Sequence, residues 1–150
     1  MTTIEEVVAA VEAAFADTPR PSDAELLHPD CADDMDLEVL YGVPHWRDLD
    51  WPDVVAGYSA MAFLSPEGFR HFVAAYLSWV ARNPDSGEAV VDSTVWAFHA
   101  EMYEPGLRDF VRSHWAPLDE PQRAAVGLFL SFMADHHPDA AAALASWLSR

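Results

Sequence analysis

An all-α fold, a compact bundle of five to seven helices with one long acidic loop, is what this sequence predicts, on three observations. Apolar residues recur at 3.6-residue spacing in several separate segments. Those segments open on capping residues or on prolines suited to a first turn. Between two of them, residues 30–53 lose the periodicity and accumulate carboxylates. With 150 residues, 51% of them apolar, the chain can bury about two thirds of its unfolded surface as one domain, residues 1–150, so its charge does not imply disorder.

The elements follow in order. Thr3 and Glu6 form a T-x-x-E capping box, and Ile4, Val7, Val8, Val11 and Phe15 follow on one helical face, which predicts a helix over 3–17. "TPRP" at 18–21 stops it. Ser22 and Glu25 repeat the capping pattern, so a short second helix is expected to reach His28. In residues 30–53 eight carboxylates face only Arg47, and Pro, Gly and Asp argue for a loop with at most one turn or short strand at "EVLYGV". Asp50 caps a helix opened by Trp51 and Pro52.

Ser65, Pro66 and Glu67 begin the most strongly organised segment, "SPEGFRHFVAAYLSWVAR", predicted helical over 66–82. Phe69, Phe72, Val73, Tyr76, Leu77, Trp79 and Val80 share an arc of about 160° at 100° per residue. On that wheel His71 lies opposite, exposed with Ala75, Ser78 and Arg82, while Arg70 sits at the edge and snorkels over aromatic rings. A helix through Val91, Val95, Phe98 and Met102 competes with a strand through "AVVDSTVWAF". Further helices are predicted near 105–115, from Asp119–Gln122 to about 136, and in the closing "DAAAALASWLSR", anchored by Trp147. The helices near 66–82 and 122–136 have the widest apolar arcs and are expected to pack together at the centre.

The charge is lopsided, 25 acidic residues against 8 basic ones, all Arg, for a net −17. Such a field repels nucleic acid and anionic lipid, so neither is an expected partner, and a basic protein is the natural complement. One cysteine, Cys31, excludes an internal disulfide and a multi-cysteine metal site, which fits a cytoplasmic setting. Early glutamates in "IEEVVAAVEAAF" oppose a signal peptide, and no apolar run approaches the roughly 20 residues of a membrane span.

No catalytic residue, metal ligand or cofactor is predicted. The chain has no H-E-x-x-H, no G-x-G-x-x-G, no Walker glycine loop and no G-x-S-x-G. A calcium loop counted from Asp34 meets Val39 where Gly is needed and His45 where Glu is needed. His99 and Glu101 diverge on a helix, and His136 and His137 read as C-terminal helix residues rather than ligands.

"FLSPEGFRHFVAAYL", "DSTVWAF" and "LDEPQRAAVGLFL" together resemble an uncharacterised bacterial family of small single-domain proteins, over about residues 4–135. The resemblance implies a compact helical domain and no particular activity.

Two functions remain open. The first is a non-enzymatic, immunity- or inhibitor-like protein that masks a basic partner, with Asp33, Asp34, Asp36 and Glu38 steering and Trp46 or Trp51 anchoring. The second is a small-molecule-binding domain or enzyme with a pocket lined by Trp, Tyr, Arg and His. Arg70 and His71 are the pair that would serve a pocket or an interface.

Overall fold

In a computed structural model, which describes residues 1–149, the chain is helical with no strand among the described residues. Six α-helices have eight residues or more: α1 Ile4–Phe15, α4 Pro66–Arg82, α5 Ala89–Trp96, α6 Pro105–Ser113, α7 Glu120–Met133 and α8 Ala140–Leu148. Two shorter ones, α2 Trp51–Ala56 and α3 Ala60–Phe63, lead into α4.

Helix α1 starts where its cap dictates, the Thr3 hydroxyl accepting the Glu6 N–H at 3.2 Å. It buries Val7, Val11 and Phe15 and packs along both α4 and α7, which also touch each other. The expected pairing of 66–82 with 122–136 is therefore shared by a third helix. α8 covers α7 and contributes Trp147, whose ring meets Trp115 at 5.0 Å and Phe98 at 5.3 Å.

The second helix expected from Ser22 to His28 is one 3-10 turn, Asp23–Glu25. Its backbone is claimed elsewhere. The Leu26 carbonyl accepts from Ser65 N (2.6 Å) and the His28 N–H donates to Phe63 O (2.8 Å), an isolated antiparallel bridge that a continuing helix would break. The same contact places Ser65, whose hydroxyl donates to Glu25 O and accepts from Gly68 N to cap α4.

The acidic segment is irregular, as expected, yet it is tied down. It forms 3-10 turns over Met35–Leu40 and Trp46–Asp48, and "EVLYGV" ends in a turn at Gly42, whose φ of 75° suits glycine. Arg20 holds it from beneath, donating to the carbonyls of Leu40, Val43 and Pro21 and to Asp23.

α4 corrects the helix wheel. Residues 71–78 are buried without interruption, so the stripe of His71, Ala75 and Ser78 faces protein and not water. Small residues there let neighbours close in on all sides, with α1, α7, α5, α2 and the 46–48 turn around it. His71 is 0% exposed. Its Nδ1 donates to Thr18 O and its Nε2 accepts from Trp46 N, both at 3.0 Å, which makes a neutral imidazole with a defined tautomer. Arg70 is corrected too. It reaches the start of α7, donating to Gln122 Oε1 (3.0 Å) and pairing with Asp119 (3.4 Å).

Residues 89–96 are helix, not strand, and α5 stops at Trp96 instead of reaching Met102. A 3-10 turn at Ala100–Met102 follows. The closing helices begin and end near their expected bounds, and α7 opens on a reciprocal cap between Asp119 and Gln122.

Three outcomes are expected. His71→Ala leaves the Thr18 carbonyl and the Trp46 N–H buried without partners, so it should lower unfolding free energy in urea by about 2–4 kcal/mol, not the near-neutral change of an exposed histidine. Phe72→Ala and Phe129→Ala, both at fully buried rings, should each cost about 3–5 kcal/mol.

The third outcome concerns pH. Burial holds the His71 pKa down at about 4, with the neighbouring His45 and Arg20 adding to the effect against the Thr18 hydrogen bond. The unfolded chain then takes up a proton that the folded one refuses, so the contribution is complete above pH 6.5 and is lost as pH falls towards 4. The fall should amount to about 3 kcal/mol. Comparing urea midpoints of the wild type and His71→Asn across that range isolates it from the titrating carboxylates, and parallel curves would refute it.

Candidate functional site

The residues singled out in sequence do not converge. Trp46 is 5% exposed; its indole N–H donates to Phe15 O at 3.0 Å, so it staples the loop to α1 and is not available to anchor a partner. Trp51, in the same segment, is 65% exposed. Three of the four carboxylates have local duties: Asp33 accepts from Met35 N, Asp34 from the Tyr41 hydroxyl and Asp36 from Ser59 Oγ. Burial first, then Asp34, pushes the Tyr41 pKa up to about 12, so the phenol stays a donor. Glu38 is exposed. Arg70 and His71 do not face a common pocket: Arg70 reaches Gln122 of α7, His71 reaches the Trp46 N–H and the Thr18 carbonyl, and the two join only through the Gln122–Thr18 hydrogen bond.

Histidine and serine do come together once, between His28 Nε2 and Ser113 Oγ at 3.2 Å. The direction is wrong for nucleophilic catalysis. His28 Nδ1 accepts from Asp30 N (3.0 Å), which leaves the proton of the neutral ring on Nε2, and Ser113 spends its own proton on Phe110 O at 2.5 Å. A general base needs a bare nitrogen facing the hydroxyl. His136 and His137, past the end of α7, turn to Asp85 and Asp92, tying that end to the 84–92 segment. Glu101 pairs with Arg112 and accepts from Ser146, apart from His99. Among the described residues no three of His, Cys, Asp and Glu converge as a metal would require.

What the fold does build is a cavity of about 230 Å³ between α3, α5 and α6, with Phe69 of α4 in its wall. α6 supplies most of one side. Leu107, Phe110, Val111 and His114 stand at i, i+3, i+4 and i+7, one continuous face of the helix and the turn after it. Opposite lie Met61 and Ala62 of α3 and Trp96 and Ala97 at the end of α5, with Tyr58 and Tyr103 completing the ring. α5 stops at Trp96 and the chain turns through residues 100–102 before α6 begins, and the space lies between the two helices. Tyr58, Ala62 and Leu107 are exposed, and they mark the mouth.

The wall contains no Asp, Glu, Lys or Arg. Its polar atoms are mostly occupied: Ser59 Oγ donates to Asp36, Ser93 Oγ to Val90 O, Trp96 Nε1 to Asp139 and the Tyr103 hydroxyl to Trp96 O. Tyr58, at the mouth, is 47% exposed and open to solvent. His114 is 4% exposed; its Nδ1 donates to Val111 O at 3.3 Å, and the carbonyls of Leu64 and Phe110 also lie against its ring. Burial lowers its pKa, against the pull of nearby carbonyls, so the ring is neutral. Of the residue types that the sequence leads one to expect in a pocket, Trp, Tyr and His are present in this wall and Arg is absent. The signal that could have found the site is "LRDFVRSH", an apolar helical stripe that ends on a histidine.

No curated protein and no solved structure is detectably similar to the chain. A family model does match, over residues 3–147 and thus over every element that frames the cavity, and the chain belongs to that family, described as a family of unknown function (DUF6714).

Proposed function

We propose that the protein is a binding domain for a small, uncharged, largely apolar molecule held in the cavity between α3, α5 and α6. The observation that carries this reading is the cavity itself, an aromatic-lined space of about 230 Å³ with an open mouth and no charged residue in its wall. An apolar cavity of about 150 Å³ already takes up benzene, whereas drug-sized sites run from roughly 300 Å³ upward, so a compound of one or two rings is the matching size. Unfilled, such a space forfeits packing that a well-packed core would use for stability. The site lacks an activated nucleophile and a convergent acid–base pair, and simple binding is the chemistry its atoms support.

At a ligand concentration ten times Kd, binding should stabilise the fold by about 1.4 kcal/mol and raise Tm by about 3–5 °C. Thermal unfolding with saturating benzene, toluene or naphthalene measures this. Ala62→Phe, at the exposed mouth, should fold normally and lose the rise. If none of the three probes moves Tm, or the variant responds as the wild type does, the cavity is not a binding site.

A second reading keeps the acidic surface as an interface for a basic protein partner. It is favoured by Trp51, a large exposed ring flanked in sequence by Asp48, Asp50 and Asp53 on a chain of net charge −17. Hot-spot aromatics ringed by steering charge have this composition. Trp51→Ala should leave stability within about 0.5 kcal/mol. With a basic partner in hand, it should speed dissociation, while replacing Asp48, Asp50 and Asp53 by Asn should slow association at low salt only. Unchanged rates would end this reading.

A further inference from the structure

Going beyond both readings above, we infer that the face formed by α1, the start of α2 and the end of α4 docks a second copy of this chain, in a two-fold pair centred on Trp51 and Arg82. Two open grooves run along this face. One lies between the 46–51 segment and α4 and is lined by Trp51, Ser78, Trp79 and Arg82, among others; the other crosses α1 at Ile4, Glu5 and Val8. Arg82 lines both and joins them into one surface. None of these residues belongs to the cavity wall.

The hydrogen-bond donors of this face are unspent, which sets it apart from the rest of the chain. Of the six tryptophans, Trp46, Trp96, Trp115 and Trp147 donate the indole N–H within the chain. Trp51 and Trp79 find no such acceptor among the described residues, and both stand in the first groove. Arginine divides in the same way. Arg20, Arg47, Arg70, Arg108, Arg112 and Arg123 each reach a carbonyl or carboxylate oxygen. Arg82, alone among the described arginines, has no hydrogen bond, ion pair or ring contact. Its place in the last turn of α4 suits the helix dipole but uses none of its donors. Around it lie Trp51, 65% exposed, and Ile4, 36% exposed. Trp and Arg are the residue types that carry most of the binding energy at protein interfaces.

Donors of this kind require an occupant that brings oxygen acceptors together with apolar surface. A basic protein brings the wrong sign to Arg82. Nucleic acid and anionic lipid bring phosphates into a field of net −17, with no cation of their own to answer it. A second copy brings both halves. Glu5 and Asp50 lie on this same face, exposed and without side-chain partners among the described residues. A two-fold axis through the face sets Arg82 of each chain against carboxylates of the other, and every complementary contact then occurs twice. Repulsion between two acidic bodies opposes the pair, but salt at about 0.15 M screens it beyond a Debye length of about 8 Å.

Sedimentation velocity in that salt, on chain concentrations up to about 500 μM, tests the inference. The mass should approach that of two chains. Trp51→Ala and Arg82→Gln, both at exposed side chains, should keep the wild-type Tm and each raise the dimer Kd at least about tenfold. Ala62→Phe, at the cavity mouth, should leave the dimer unchanged. A chain that stays monomeric over the whole range would overturn the inference and leave Trp51 to the basic partner of the second reading. A dimer that either Trp51→Ala or Arg82→Gln leaves intact, or that Ala62→Phe dissociates, would overturn it by placing the contact elsewhere. The cavity reading stands or falls on its own probes in each case.

Discussion

The rest of the structure depends on how the last turn of α1 disposes of its carbonyl groups. A helix end leaves carbonyls without partners, and a basic residue or a glycine cap usually meets some of them. α1 has no basic residue in its last turn, and its C-cap, Ala16, stays in the helical region. Side chains from three other places supply the donors instead. Gln122 Nε2 reaches Ala14 O at 3.3 Å, Trp46 Nε1 reaches Phe15 O at 3.0 Å, His45 Nε2 reaches Ala16 O at 3.2 Å and His71 Nδ1 reaches Thr18 O at 3.0 Å. These donors come from α7, the 46–48 turn with its cap and α4, so one helix end fixes the relative placement of the three elements. The network closes on itself, because Gln122 also donates to Thr18 Oγ1 and accepts from Arg70, and His71 accepts from the Trp46 backbone. Buried polar groups that are all satisfied rigidify a core and specify its register.

The same dependence explains why local signals are reliable for some elements and silent on others. α1, α4 and α7 are long, strongly periodic and capped at residues that announce themselves, Thr3, Ser65–Pro66 and Asp119–Gln122, so their starts are legible. The segment after Ser22 misleads because its fate is set by Phe63–Ser65, some forty residues away. No local pattern can encode that partner. His71 misleads for a related reason. A helix wheel assumes that one side meets water, and α4 is surrounded on every side; polarity then marks hydrogen-bond satisfaction and not exposure. Trp46 and Trp51, alike in sequence, divide on one question: whether a carbonyl waits within reach of the indole N–H.

The cavity is the least legible feature, since its walls come from four helices and two turns spread between residues 58 and 114. Only the α6 stripe is continuous in sequence. What makes the space is an ending: α5 stops at Trp96, whose indole N–H bonds to Asp139 and whose carbonyl accepts from Tyr103. That anchoring holds the C-terminus of α5 towards α8, while Arg108 of α6 donates to the carbonyls of Tyr103 and Glu101 and holds the next helix to its own lead-in. Both helices are thus tied to the 100–103 turn, α5 through the Tyr103 hydroxyl and α6 through Arg108, and the cavity between them is lined largely by aromatic rings.

The charge distribution bears on the same site. Arg20, Arg108 and Arg123 donate mainly to backbone carbonyls, so much of the scarce positive charge serves as scaffolding and leaves the acidic surface largely uncompensated. If the cavity takes up a ligand as proposed, a strongly negative exterior around an uncharged interior cavity sorts molecules twice. The field turns away anions before they reach the mouth, and desolvation turns away any ion at the wall. On that reading, what passes both is neutral and largely apolar. Selection of this kind rests on the cost of burying a charge without a partner, and it needs no polar contact inside the cavity.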